Sequence, residues 1–445
     1  MSNALTTAPS IIAHGVGTRS DLPVPLLGTA IGAGLAVALS FAIMGIVWMK
    51  PRLDRLSGGV LLPQLLDTAV RVLGYVGRLA MLILYFVVIG AAFTGVDNSA
   101  ENLATTGVFI MLWVVMQAVS AVFGDVWSAV NPLDTIVAGL ERFFGRKTSP
   151  TDDDHANVTN WPAVIGLFGF LWMELAYHQG DAPTTVGRAL IVYSVVLIAG
   201  GVMNGRAWLR HAGGFSAWFN LLGYMGMFFR DDDDRLRVRL PFVGISQMMI
   251  RPGTAALVLL VLGSTTFDGL SGTTIWQELV RDQIEWGATF AATAGLIWMI
   301  FVVSIVYLLV TRSIDTADRY VPSLVPIALG YIVAHYFSLV VFFGQGFFFG
   351  LSDPFDQGWD ILNNASSTIN FTVVTTFTIA MVQVSAIVIG HIAGVAAAHD
   401  LVLEDEVSGS PDGLNPGATA FRAELPLATV MMFYTMVGLY ILMNA

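Results

Sequence analysis

Cysteine does not occur in this sequence, and charge is scarce. Without a thiol there is no disulfide, no thiolate metal site and no cysteine nucleophile. Asp, Glu, Lys and Arg make up only 12% of the 445 residues, against about 25% in a soluble domain. Basic residues are the scarcer sign, 21 against 32 acidic ones, giving a net charge of −11. That balance excludes nucleic acid as a partner. A Gly-rich phosphate loop, a Ser-His-Asp nucleophile elbow and an HExxH zincin motif are also missing. What is present is apolar: 55% of residues are hydrophobic and mean hydropathy is +0.72. The apolar runs are too many and too long for a soluble core, so the lipid bilayer is the first partner.

Spans of the roughly 20 residues needed to cross hydrocarbon are expected near 25–49, 75–93, 104–123, 161–178, 187–204, 253–268, 287–310, 321–344, 368–398 and 425–443. The fold class is therefore all-α: a polytopic membrane helix bundle of about ten transmembrane helices, multi-pass in the cell membrane. The first run begins only near Pro25 with no small-residue cleavage site after it, and reads as a retained span. With the amino terminus outside, 18 of the 21 Lys and Arg residues fall on inner segments. Only Arg19, Arg188 and Arg281 are left outside, the asymmetry expected of a correctly counted topology. No repeat and no Pro/Ser-rich linker divides the chain, so residues 1–445 form a single transmembrane domain. Nothing in the pattern sets its oligomeric state.

The loops carry their own expectations. Residues 205–251 form the large cytoplasmic loop, with an interfacial helix expected in the Gly-broken run Phe215–Phe229. Pro132 opens an amphipathic run suited to the inner interface. Asp231–Asp234, set among arginines, lacks the alternating acids, glycine and distal Glu of a calcium loop and reads as a self-neutralising surface turn. Asp268, Asp353, Asp356 and Asp360 join an acidic outer rim, and Leu270–Thr274 is expected to fold back as a re-entrant turn.

Ionisable residues inside apolar runs are functional candidates because lipid makes them costly. Glu174 and His178 are four apart near the outer end of the fourth span, hence on one helix face. They suit a metal ligand pair or a proton relay, or more plainly an interfacial hydrogen bond. His335 lies ~20 Å from the inner face, past the midplane. It is a candidate ligand or proton carrier, its plainer role being a clamp between two helices. His391, between Gly390 and Gly394, sits where a neighbouring helix can come close. His399 is eight residues on, ~12 Å away along the axis, too far for one metal to take both. Glu174 and His335 are the catalytic candidates. His178, His335, Glu174, His391, His14 and Asp353 are the candidate ligands of a divalent metal.

Several motifs together carry a resemblance. They are Ala13-His14-Gly15 with Asp21-Leu22-Pro23, Gly124-Asp125-Val126-Trp127 with Asn131-Pro132, His335-Tyr336, Asp353-Pro354, Gly358-Trp359-Asp360, Gly390-His391 and Ala398-His399-Asp400. In these the chain resembles, from its first motif to the ninth span, the bacterial and mainly actinobacterial membrane family labelled fenitrothion hydrolase. The resemblance implies hydrolysis of apolar organophosphate esters but assigns no residue roles. The histidine pattern departs from that of soluble phosphotriesterases.

Two functions follow as expectations. One is a membrane-embedded, metal-assisted hydrolase of a small apolar ester, using water activated at a histidine/carboxylate site. The other is a transporter or metal- or haem-handling protein that passes an ion along a histidine/carboxylate path. A third, plainer possibility is an assembly subunit whose histidines only clamp helices.

Overall fold

The computed structural model describes residues 26–145, 158–312, 317–409 and 416–444. Long apolar runs become helices because lipid leaves every backbone N–H and C=O to be satisfied within the segment. Among the described residues, nine helices are long and apolar enough to cross a membrane, and the protein is a multi-pass helical bundle. They are α1 (Leu26–Val47), α3 (Gln64–Thr94), α4 (Leu103–Phe123), α8 (Pro183–Asn204), α11 (Thr254–Gly272), α13 (Glu285–Thr311), α14 (Val321–Phe342), α16 (Thr376–Gly409) and α17 (Pro416–Asn444). The tenth expected span is α7 (Trp161–Leu175), an apolar helix of 15 residues. At 1.5 Å per residue it is ~22 Å long, short of the hydrocarbon thickness. Short helices complete the chain: α2 (Leu53–Ser57), α5 (Val126–Val130), α6 (Pro132–Phe143), α9 (Arg206–Ala212), α10 (Gly214–Gly223), α12 (Thr274–Val280) and α15 (Gly344–Ser352).

Two helices form the centre and others face outward. The spans of α11 and α14 are 78% and 72% buried, whereas those of α3 and α13 are 6% and 11% buried. The outer pair therefore shows lipid a nearly continuous apolar surface, and the inner pair holds whatever polar chemistry the bundle contains. Around α14 the closest neighbour is α16. Their backbones touch because Gly330, Gly390 and Gly394 have no side chain: a Cβ on Gly390 would stand 2.7 Å from the Pro326 carbonyl, and one on Gly330 2.6 Å from that of Ala386. Within α4, residues Thr106–Val115 adopt π-helical hydrogen bonding, a wide turn that recurs at functional sites.

The large loop departs from expectation. α10 is packed into the bundle rather than lying free along its surface: eight of its ten residues are buried, Trp218 and Phe219 completely. The Trp218 indole N–H donates to Gln117 Oε1 at 2.6 Å, so an amphipathic-looking run becomes core once α4 supplies an acceptor. A small sheet was also not foreseen. β1 (Val60–Leu61), β3 (Leu236–Val238) and β2 (Phe228–Arg230) pair antiparallel in that order. Two-residue and three-residue strands carry too little alternation to be read from sequence. The intervening acidic run is paired: Asp231 and Asp233 with Arg235 at 3.1 and 2.8 Å, and Asp234 with Arg71 at 2.6 Å. The backbone N–H of Arg235 and its guanidinium hold Asp231 below the usual carboxylate range. Nor does the chain re-enter after residue 269: α11 continues to Gly272, and α12 follows with no buried residue.

The inner face is tied together by one carboxylate. Asn131 caps α6 through its side chain, and the next turn buries Asp134, 3% exposed. Arg206 donates to it from Nε at 2.7 Å, and Arg78 from Nη2 at 3.0 Å. This accounts for Arg78 inside a span: its stem lies along apolar surface while its head reaches the inner end of the neighbouring helix. Asp134→Asn is expected to lower stability by about 2 kcal/mol, the worth of hydrogen bonds to a charged group. Thermal unfolding in detergent checks this, and an unchanged midpoint would refute it.

Candidate functional site

The polar groups of the core gather where α7, α11, α14 and the π segment of α4 meet. Asp268 is their centre. It lies in the last third of α11, where Ser264, Asp268 and Ser271 follow one another at i, i+4 and i+7, and is 1% exposed. Two neighbours on α14 approach the same oxygen. The Tyr336 hydroxyl donates to Asp268 Oδ2 at 2.6 Å. Nε2 of His335 stands 2.8 Å from it, a close charge contact whose angle falls short of an aligned hydrogen bond. An ionised carboxylate in such a place needs these partners, because burial without them costs several kcal/mol.

Aromatic rings fix the imidazole. Tyr331 stacks on His335 with ring centres 6.0 Å apart, and Tyr336 meets it edge-on at 4.8 Å. Gly269, next to Asp268, leaves room for the Tyr331 hydroxyl, which any side chain there would meet. Glu174, at the end of α7, is 5% exposed, and its Oε2 has no hydrogen-bond partner. The charged group that bears on it is Asp268, of the same sign, and Tyr336 lies within electrostatic reach of both. His335 Nδ1 and the Tyr331 hydroxyl are likewise buried without a partner. So many unpaired polar atoms in one small region are uncommon in a folded core and mark a place of function.

A second group lies deeper. His391 on α16 is 2% exposed; its Nδ1 is 2.8 Å from the Ile387 carbonyl, and its Nε2 has no partner. Its ring is 6.2 Å from that of Tyr434 on α17, whose hydroxyl bonds Thr266 on α11, two residues from Asp268. A chain of buried polar side chains thus runs from Glu174 through Asp268, His335 and Tyr331 toward Tyr434 and His391.

The expected residues fare differently. His335 contacts Asp268, and Glu174 lies within electrostatic reach of the same carboxylate, which had been placed on the solvent rim. The signal that reveals it is the i, i+4, i+7 polar stripe, legible only once the helix is carried on to Gly272. His178 does not share a helix face with Glu174, because α7 ends at Leu175. The chain turns back so tightly that Gly180 packs against the Met173 carbonyl. The imidazole instead meets Thr289 Oγ1 at 2.8 Å, and sits between Tyr177 and Trp286 at the outer end of α13. Asp353 is engaged in its own loop, accepting the N–H groups of Gln357, Gly358 and Trp359. His14 lies outside the described residues. Among the described residues no three His, Asp or Glu side chains converge in a way that could hold a metal ion.

Comparison with protein-family models, with curated proteins and with solved structures gives no match to this chain.

The outer loop beyond α15 offers a local test. The Ala365 N–H, together with the Ser352 hydroxyl and the Asn364 N–H, holds Asp360 below the usual carboxylate range. A lowered folded-state value means that this carboxylate stabilises the loop above its ordinary pKa and ceases to as pH falls through the lowered one. Amide exchange at Asn364 and Ala365 should accelerate below about pH 4, and in Asp360→Asn should be fast already at neutral pH. Exchange in the variant matching the native chain would count against it.

Proposed function

We propose that the protein moves protons across the cell membrane as part of a transport cycle, with its amino terminus outside. The observation that carries this reading is the pair of buried carboxylates, Glu174 and Asp268, beside His335 at 2.8 Å from the second of them. Two like-charged acids in one apolar site do not both ionise comfortably, so a proton is shared or passed between them. An imidazole beside them offers two ring nitrogens, one to receive a proton and one to pass it on. His391, reached through Tyr331 and Tyr434, is the next station inward. Ionisable residues facing a bundle interior are characteristic of such relays, and the π segment bearing Trp113 gives the region room to move.

A second reading follows the resemblance: hydrolysis of an apolar phosphate ester that enters from the bilayer. The Asp268–His335 contact favours it, since a carboxylate beside an imidazole is the arrangement that orients a general base.

One experiment separates them. In proteoliposomes carrying an internal pH dye, Glu174→Gln, Asp268→Asn and His335→Gln are each expected to lose at least ~10-fold in potential-driven proton flux, the scale of removing one proton-transfer group. Native-rate flux in all three folded variants would sink the proton reading. Fenitrothion turnover by the native protein, lost in His335→Gln, would instead establish the hydrolase.

A further inference from the structure

The inner end of α16 is held by an unusual contact. Asp400, 1% exposed, accepts three hydrogen bonds from a segment some 350 residues away. Its Oδ1 takes the Trp48 indole N–H at 2.9 Å and the Arg52 backbone N–H at 2.7 Å; its Oδ2 takes the Leu53 N–H at 3.0 Å. Next to it, His399, fully buried, places Nε2 2.9 Å from the Trp48 carbonyl. The Arg52 guanidinium lies over the Trp48 ring, 5.2 Å from its centre. The whole link between α1 and α2 is therefore fastened to α16 by one carboxylate and one imidazole.

The position of this fastening matters. His391, Val395 and His399 follow at i, i+4 and i+8 on α16, so they share one helix face, and all three are buried, at 2%, 2% and 0%. That face descends ~12 Å from the last station of the proposed relay to the link at Trp48. Neither His399 nor Asp400 has a task in the relay itself. Charge-assisted bonds to a carboxylate are roughly twice as strong as neutral ones; here two come from a short link whose Met49, Lys50 and Arg52 are exposed, and the third from Leu53, the buried first residue of α2. Such a link can leave as a unit.

We propose that Trp48, His399 and Asp400 form the inner gate of the polar column, closed in this conformation and opened when residues 48–53 release α16. The proposal rests on the relay reading and adds its cytoplasmic control. With the link in place, the Trp48 carbonyl meets His399 at the end of the His391–Val395–His399 face. With the link released, water reaches that face from the side bearing Lys50 and Arg52, and the column gains its second opening.

Absence of cysteine makes the test clean, since an introduced thiol is the only one. Val395→Cys in proteoliposomes is treated with a membrane-impermeant maleimide from the Lys50 side. The thiol is expected to react slowly in the otherwise native chain and at least ~10-fold faster when Trp48→Phe or Asp400→Asn is added. Leu260→Cys, a buried position on α11, serves as the folding control and should stay protected in both. Equal Val395→Cys rates with and without the gate substitutions would overturn the proposal. So would a parallel rise at Leu260→Cys, which reports general loosening rather than a gate. Proton flux in Glu174→Gln is read on the same vesicles. A faster Val395→Cys reaction alongside undiminished flux would leave the gate standing and remove the relay reading.

Discussion

Burial of the Asp268 carboxylate is the constraint on which the rest of the bundle depends. One oxygen of a charged group is placed among apolar helices and is held by Tyr336 and His335, two consecutive residues of α14. Removing either partner would strand charge in a low-dielectric interior, at a cost of about 3–5 kcal/mol for a broken buried pair. The rotation of α14 about its axis, and its depth relative to α11, are set by that requirement. Both helices are accordingly the most buried of the spans, and lipid contact is left to α3 and α13.

Holding α14 so closely requires the other side of that helix to be featureless. Gly330, Gly390 and Gly394 provide this, bringing α16 to backbone contact. Dispersion and weak backbone contacts hold helices together in lipid, where no hydrophobic force acts between them. The same close approach sets His391 level with Pro326, ~14 Å along α14 from His335, and so extends the polar groups along the bundle. α16 then carries that influence to its inner end, where Asp400 grips the α1–α2 link. One glycine-lined contact thus relates the outer carboxylates to the inner fastening.

Polar satisfaction is uneven along this line. Asp400 and Asp134 have full sets of donors, as structural carboxylates should. Glu174, His335 and His391 keep unpaired atoms. Evolution removes idle buried polar groups because each is costly, so groups left incomplete at the core are those with work outside the resting structure.

The all-α class and nine of the ten expected spans were legible in the sequence, because hydropathy acts locally along the chain and the bilayer fixes the length scale. Glu174 and His335 were legible for the same reason: each is an ionisable residue in an apolar run. His178 was misplaced beside Glu174 because periodicity cannot say where a helix stops when a glycine turn folds back over its end. Asp268 was missed because four residues of continued helix decide whether it meets solvent or His335. α10 looked interfacial until Gln117 on α4 offered its tryptophan an acceptor. Partners from distant parts of the chain settle such matters, and a sequence read in order contains no term for them. By itself the sequence determined that the chain is built of long apolar helices, and that Glu174, His335 and His391 lie inside apolar runs. Which of those groups meet, and which link is fastened beneath them, was decided only by tertiary packing, since contacts between helices arise from shape and complementary hydrogen bonding rather than from local pattern.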